Sequence, residues 1–334
     1  MNIFFKFIFL CLWAMPIIHA ASITKPNTFV NGTTASAAQV NANFDTLYTK
    51  VNLMDTRGTS GGAGENPSTD TCPTNYILVP GDTVYGTTDF CVMKYEAKSG
   101  PGGATSKPLG LPMRGVIAFS EAYSLCKNLG PGYALINNSE WMTIATNIAN
   151  VSNNWNGGVV GTNSINRGHS DNAPAAPLAA DAIDINACSG TGQACDNTTT
   201  WDSQRRTHEL SNGNYIWDFA GNIWEWVDMF IYESKIDATA AFTEISAYTA
   251  ADNTDHMTII DLRPLNANHG FWNDAWNSTE GMGRYYAGTN GSGGVALRGG
   301  TWSHGLTAGV FELALNQTPS NTFTYAGFRC VFRK

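Results

Sequence analysis

Residues Trp217–Val227 read WDFAGNIWEWV, and the reading of this stretch decides how the rest of the chain is understood. Trp224 and Trp226 stand two apart, so on a strand they share one face while Glu225 points to the other. Gly221-Asn222, just before them, fits a tight turn, because both residues accept left-handed backbone. Asp218 and Glu225 lie at either end of that turn with backbone carbonyls between them. Two readings follow. Oxygens from one short segment could wrap a hard cation, as calcium prefers. Alternatively, this is a core strand with its indoles inside and its charges in water.

The stretch resembles the D-x-x-G-N-x-W-E-W signature of formylglycine-generating-enzyme-like domains, an elaborated C-type-lectin-type fold. Two further segments match in order: Leu297-Arg298-Gly299-Gly300-Thr301-Trp302 and Gly327-Phe328-Arg329-Cys330-Val331. The resemblance spans residues 72–334. It implies an α+β fold with many loops, in which two helices pack beside a mixed, twisted sheet. It also implies one structural calcium ion on Asp218, the carbonyls of Gly221 and Ile223, and Glu225.

Composition bounds the class of protein. Of 334 residues only 14% are charged, while 43% are hydrophobic and glycine alone numbers 34. Such a chain builds a core and covers it with amides and hydroxyls, in the manner of a loop-rich extracellular protein. The formal charge is −8 with no basic stripe, which argues against nucleic acid as a partner. Residues 1–20 read as a signal peptide: Lys6, an apolar run over Phe7–Ile18, and small residues at Ala20-Ala21. No later run is long enough to span a bilayer, so the expected location is extracellular, cell-surface or periplasmic.

Residues 21–56 are read as a helical segment. Ala37, Val40, Phe44, Leu47, Val51 and Met54 alternate spacings of three and four, a heptad seam. Such a short helix is marginal alone, so it either docks on the body or associates with copies of itself. The run from Thr28 resembles short N-terminal segments of trimeric phage and bacterial proteins, which favours a homotrimer. Residues 57–71 form a Gly/Ser-rich linker. Beyond it, Tyr76–Pro80 and Phe90–Tyr95 read as strands, and a helix starts at Ser120 and stops at Gly130-Pro131. A second helix is expected over Asn138–Ala149, with Trp141, Ile144, Ala145 and Ile148 on one stripe. Two long irregular runs, Val151–Thr200 and Ile236–Gly283, follow; Trp272 and Trp276 of the second are expected to cover part of the core.

Six cysteines remain after the signal, and an even count in an exported chain suggests a disulfide framework. Six allow fifteen pairings and the sequence does not choose among them. Closeness in the chain favours Cys72 with Cys91 and Cys188 with Cys195. Cys126 with Cys330 would then tie an early helix to the last strand, a long staple that agrees with the lectin-like resemblance.

Three histidines raise the question of catalysis: His169, His208 and His304. None belongs to an H-x-H or H-E-x-x-H set, so each is read as solvent-facing or hydrogen-bonding. The oxidase chemistry of the resembled family uses a cysteine pair between the R-G-G and G-F-R motifs. Here that interval, TWSHGLTAGVFELALNQTPSNTFTYA over Thr301–Ala326, contains no cysteine. It resembles instead the C-terminal variable region of lectin-fold proteins diversified by retroelements, which run R-G-G-x-W, A-G-x-F, N-x-x-P-S-N, G-F-R. That resemblance implies ligand-contacting positions at Trp302, Ser303, His304, Leu306, Glu312, Phe323 and Tyr325, set around a buried AGVFELAL core. The leading reading is an exported, non-catalytic recognition protein with a macromolecular or cell-surface ligand. The alternatives are a formylglycine-generating-type oxidoreductase or non-haem metal enzyme, and a structural surface or fibre-tip component.

Overall fold

The computed structural model describes residues 71–115, 117–181, 201–231, 279–286 and 294–334. All of these belong to the unit Ser68–Lys334. The signal peptide, the heptad helix, the linker up to residue 70, Cys188 and Cys195, and Trp272 and Trp276 lie outside the described residues.

The fold is α+β, with few helices and many strands. Four strands form an antiparallel sheet in the order β1 (Tyr76–Val79), β2 (Phe90–Met93), β13 (Cys330–Arg333), β5 (Tyr133–Leu135). Five form a mixed sheet in the order β12 (Ala326–Phe328), β8 (Trp224–Ile231), β10 (Gly294–Arg298), β11 (Leu313–Gln317), β9 (Tyr285–Tyr286). Within it β12 runs parallel to β8 and β9 parallel to β11, while β8–β10 and β10–β11 are antiparallel. Two hairpins, β3 (Lys98–Gly100) with β4 (Gly103–Thr105) and β6 (Thr207–Glu209) with β7 (Tyr215–Trp217), complete the described strands.

The helices form where the apolar spacing requires them. α1 (Phe119–Lys127) buries Phe119, Ala122 and Cys126 and carries Glu121 in its first turn and Lys127 in its last, matching the helix dipole. α2 (Asn138–Ala149) has the expected bounds, and its stripe of Trp141, Ile144, Ala145 and Ile148 is wholly buried. Its start is fixed by a capping box in which Asn137 Oδ1 accepts from the Glu140 amide at 2.8 Å and Glu140 Oε2 accepts from the Asn137 amide at 2.9 Å. Each fully buried large apolar side chain contributes about 1.5–3 kcal/mol, so this stripe alone seats the helix. Cys72–Cys91 and Cys126–Cys330 are disulfides. The second closes 204 residues and joins α1 to β13, which in the chain-entropy account removes about 5 kcal/mol of freedom from the unfolded chain.

Of the three histidines, His169 and His208 are fully buried, so the solvent-facing alternative does not hold for them. His169 Nε2 lies 3.0 Å from the Ala176 carbonyl, and His208 Nε2 lies 2.9 Å from the Asn166 carbonyl. Burial pushes His208 down to about 3, well below an ordinary imidazole, and lowers His169 as well. A group depressed in this way stabilises the fold fully above its unfolded value of about 6.5 and loses that contribution as pH falls toward its folded value. We therefore expect the melting temperature to fall steadily from pH 7 to pH 4. His208 would account for up to about 1.4 kcal/mol per unit. His208→Gln should flatten the profile; a profile as steep as that of the wild type would refute the assignment.

Candidate binding cleft

The two central motifs are bonded to each other. Asp218, Gly221 and Asn222 all take positive φ (52°, 73° and 58°), which gives the tight turn expected of Gly-Asn. A side chain at Gly221 would run into the carbonyls of His169 and Arg167, so only glycine fits. The Gly221 amide donates to the Gly299 carbonyl at 2.9 Å and the Trp302 amide to the Asn222 carbonyl at 3.1 Å. Arg298, fully buried at the end of β10, is held by Asn138 of α2: Nε and Nη2 reach Asn138 Oδ1 at 3.0 and 2.8 Å, and Nη1 reaches the Phe311 carbonyl at 3.1 Å. Burial lowers this guanidinium to about 9. The Arg-Gly-Gly run is thus a structural joint and not a surface.

Beyond that joint the chain lines a cleft of ≈ 230 Å³. Trp302, Ser303, His304, Phe323 and Tyr325, five of the seven contact positions expected from the sequence, all border it. Phe323 and Tyr325 stack at 5.0 Å with planes 17° apart, and Tyr325 is exposed. Leu306 is exposed too but lies outside the lining. Glu312 is the correction: it is fully buried, not a surface contact. Its Oε1 meets His304 Nδ1 at 2.8 Å, so it acts on the cleft through His304. Burial holds its carboxyl above the ordinary range while His304 draws it down. Gly300, at φ 86°, gives its carboxylate room; any side chain there would collide with Oε2.

Sequence reasoning missed the cleft's other walls. Trp224 of the W-E-W motif is buried in the core, as the core-strand reading expects, and its ring also borders the cleft, meeting the His304 ring edge-on at 5.1 Å. Asn316, Gln317 and Tyr286 contribute from β11 and β9. Asn316 and Gln317 directly follow the apolar run, where the change to amides was the only available signal.

The calcium ligands inferred from the resemblance fare differently. Asp218 is nearly buried, and Arg206 takes both its oxygens: Nε to Oδ1 at 2.7 Å and Nη2 to Oδ2 at 2.6 Å. Glu225 is equally buried and gives both its oxygens to Arg329. Among the described residues no group of three or more His, Cys, Asp or Glu side chains is arranged to hold a metal. With both carboxylates committed to guanidinium groups, the donor set as placed does not fit a divalent cation.

No protein-family model matches the chain, and no curated protein matches it. Solved structures do. The Major Tropism Determinant I1 variant is similar over 79% of this chain and 53% of that one, at 18% identity and a TM-score of 0.38. Treponema denticola variable protein 1 is similar over 79% of this chain and 94% of that one, at 14% identity and a TM-score of 0.31. CarF is similar over 77% and 93%, at 12% identity and a TM-score of 0.31. This chain spans about half the length of the Major Tropism Determinant chains it matches.

Proposed function

We propose that this chain is an exported, non-catalytic recognition protein whose lectin-like head binds a macromolecular or cell-surface ligand in the cleft around Trp302, His304 and Tyr325. The observation that carries the reading is convergence. Residues from β8, from the loop after β10, from the end of β11 and from the approach to β12 meet on one concave surface of aromatics, hydroxyls and amides. That mixture is what recognition surfaces use, since rigid aromatic rings supply contact area at low entropic cost. Its rigid base is the hydrogen-bonded joint of the two glycine motifs. Against the oxidoreductase alternative, the four described cysteines are all in disulfides and none borders the cleft. A fibre-tip or other structural role remains the alternative if no ligand binds.

The test pairs folding with binding. Leu306→Ala and Tyr325→Ala should each change stability by less than about 0.5 kcal/mol, whereas His304→Ala takes a partner from the buried Glu312 carboxylate and should cost about 1–3 kcal/mol. His304→Ala and Tyr325→Ala should weaken retention on whole bacterial cells by roughly 5- to 30-fold, the effect of about 1–2 kcal/mol at a contact hot spot. Gly300→Ala, the folding control, should lower the melting temperature sharply, because it strains a positive φ and displaces Glu312. Folded variants retained like the wild type would show that recognition lies elsewhere.

The same reading includes display as a homotrimer through the heptad seam at Ala37–Met54. Multivalency of that kind lets weak contacts add up. Light scattering of the mature protein should give about three times the monomer mass, and Phe44→Asp, which places a carboxylate in the seam, should reduce it to the monomer. A monomeric wild type at micromolar concentration would refute the trimer.

A further inference from the structure

The segment Trp217–Glu225 does wrap a cation, and that cation is an arginine. Arg329 is fully buried, the single residue between β12 and β13. Its Nε donates to Glu225 Oε2 at 2.6 Å and its Nη2 to Glu225 Oε1. Nη2 also reaches the carbonyls of Trp217 at 3.1 Å and Asp218 at 3.2 Å, and Nη1 reaches the Met93 carbonyl at 3.1 Å. A carboxylate and two backbone carbonyls of this one short segment therefore close around a positive charge, as they would around a hard metal ion. A planar guanidinium with five N–H donors fits such an oxygen set.

The second carboxylate is satisfied in the same way. Arg206 holds Asp218 through two bonds and donates as well to the carbonyls of Ala179 at 2.8 Å and Leu178 at 3.3 Å. The third acid of the cluster, Glu96, accepts from Asn222 Nδ2 at 2.6 Å and lies beside the buried Lys98, whose Nζ donates to the Glu96 carbonyl at 3.3 Å. Its other oxygen has no hydrogen-bond partner. Burial, then Asp218 and Glu225, holds this carboxyl well above the ordinary range. Three buried acids face three buried bases. A divalent ion entering here would have to strip both carboxylates from their arginines and leave buried guanidinium groups unpaired beside it.

We propose that the Arg329 guanidinium takes the place at the Trp217–Glu225 turn that a structural calcium ion would otherwise fill, so that the head folds without calcium and gains no stability from it. The inference concerns the fold and stands whether or not the cleft binds a ligand.

Thermal melting of the full-length mature protein at neutral pH, in EGTA and in millimolar CaCl2, tests it. The two melting temperatures should agree within about 1 °C, since an ion bound only by the folded state would raise one above the other. After dialysis, atomic emission should find calcium far below one ion per chain. Glu225→Gln, which keeps the shape and removes the charge, should lower the melting temperature by roughly 5–15 °C, equally in both solutions, because it leaves Arg329 buried without its partner. A wild type that melts lower in EGTA, or that retains about one calcium per chain, overturns the proposal. So does a Glu225→Gln defect confined to the calcium solution. If Glu225→Gln fails to fold, the wild-type melts and metal content still decide.

Discussion

Where the chain passes from its five-stranded sheet to its four-stranded sheet, one residue makes the step, and that residue is Arg329. β12 ends at Phe328 and β13 begins at Cys330. From this position the guanidinium bonds to Met93 at the end of β2, to Trp217 at the end of β7, to Asp218 in the turn and to Glu225 on β8. A buried ion pair adds little net stability against a well-packed apolar substitute, because desolvating both charges offsets their attraction. Its contribution is direction. A slip of β12 by one residue would move Arg329 away from Glu225, and burial would then leave both charges unmet. Cys330, the next residue, is tied to α1 by its disulfide, so covalent and ionic constraints set the same register.

The constraint also explains how one short strand serves two environments. Trp226 is fully buried, its Nε1 donating to the Ile117 carbonyl at 3.0 Å. Trp224, on the same face, packs in the same cluster but also forms part of the cleft wall. The Trp224 amide donates to the Tyr325 carbonyl at 2.8 Å, so the register of β12 on β8 places the exposed Tyr325 ring at the cleft. Fixing that register from the opposite face, through Glu225, therefore fixes the shape of the surface. Packing and the site are two faces of one strand.

What the sequence made legible was local or periodic. The α2 stripe could be read from spacing alone, the Gly221-Asn222 turn from residue chemistry, and the AGVFELAL run from its apolar content: Ala308, Val310, Phe311, Leu313, Ala314 and Leu315 are all buried. What stayed hidden was partnership across the chain. Nothing near Glu225 in sequence points to Arg329, and nothing near Asp218 separates a cation made of metal from one made of guanidinium. Glu312 falls among the expected contact positions by its order along the motif, and order does not reveal burial. Only the fold shows that Gly300 makes room for this carboxylate and that His304 stands between it and solvent.

That last arrangement decides what kind of surface the cleft is. Among the described residues, His304 is the only titratable side chain on its lining apart from the tyrosines, and its Nδ1 is committed to Glu312. The imidazole is therefore held by a carboxylate behind it and an indole beside it, with 20% of its side chain exposed. A ring fixed on two sides loses little freedom when a ligand meets it, and the stacked Phe323–Tyr325 pair is likewise constrained before any contact is made. Ordering costs that a loose loop would incur on binding are already met in folding. Substitutions at the exposed lining residues, Ser303 and Tyr325, would change what the cleft can contact. The Arg298–Asn138 and Arg329–Glu225 joints beneath would be left as they are. The scaffold thus separates residues that hold the surface from residues exposed on it.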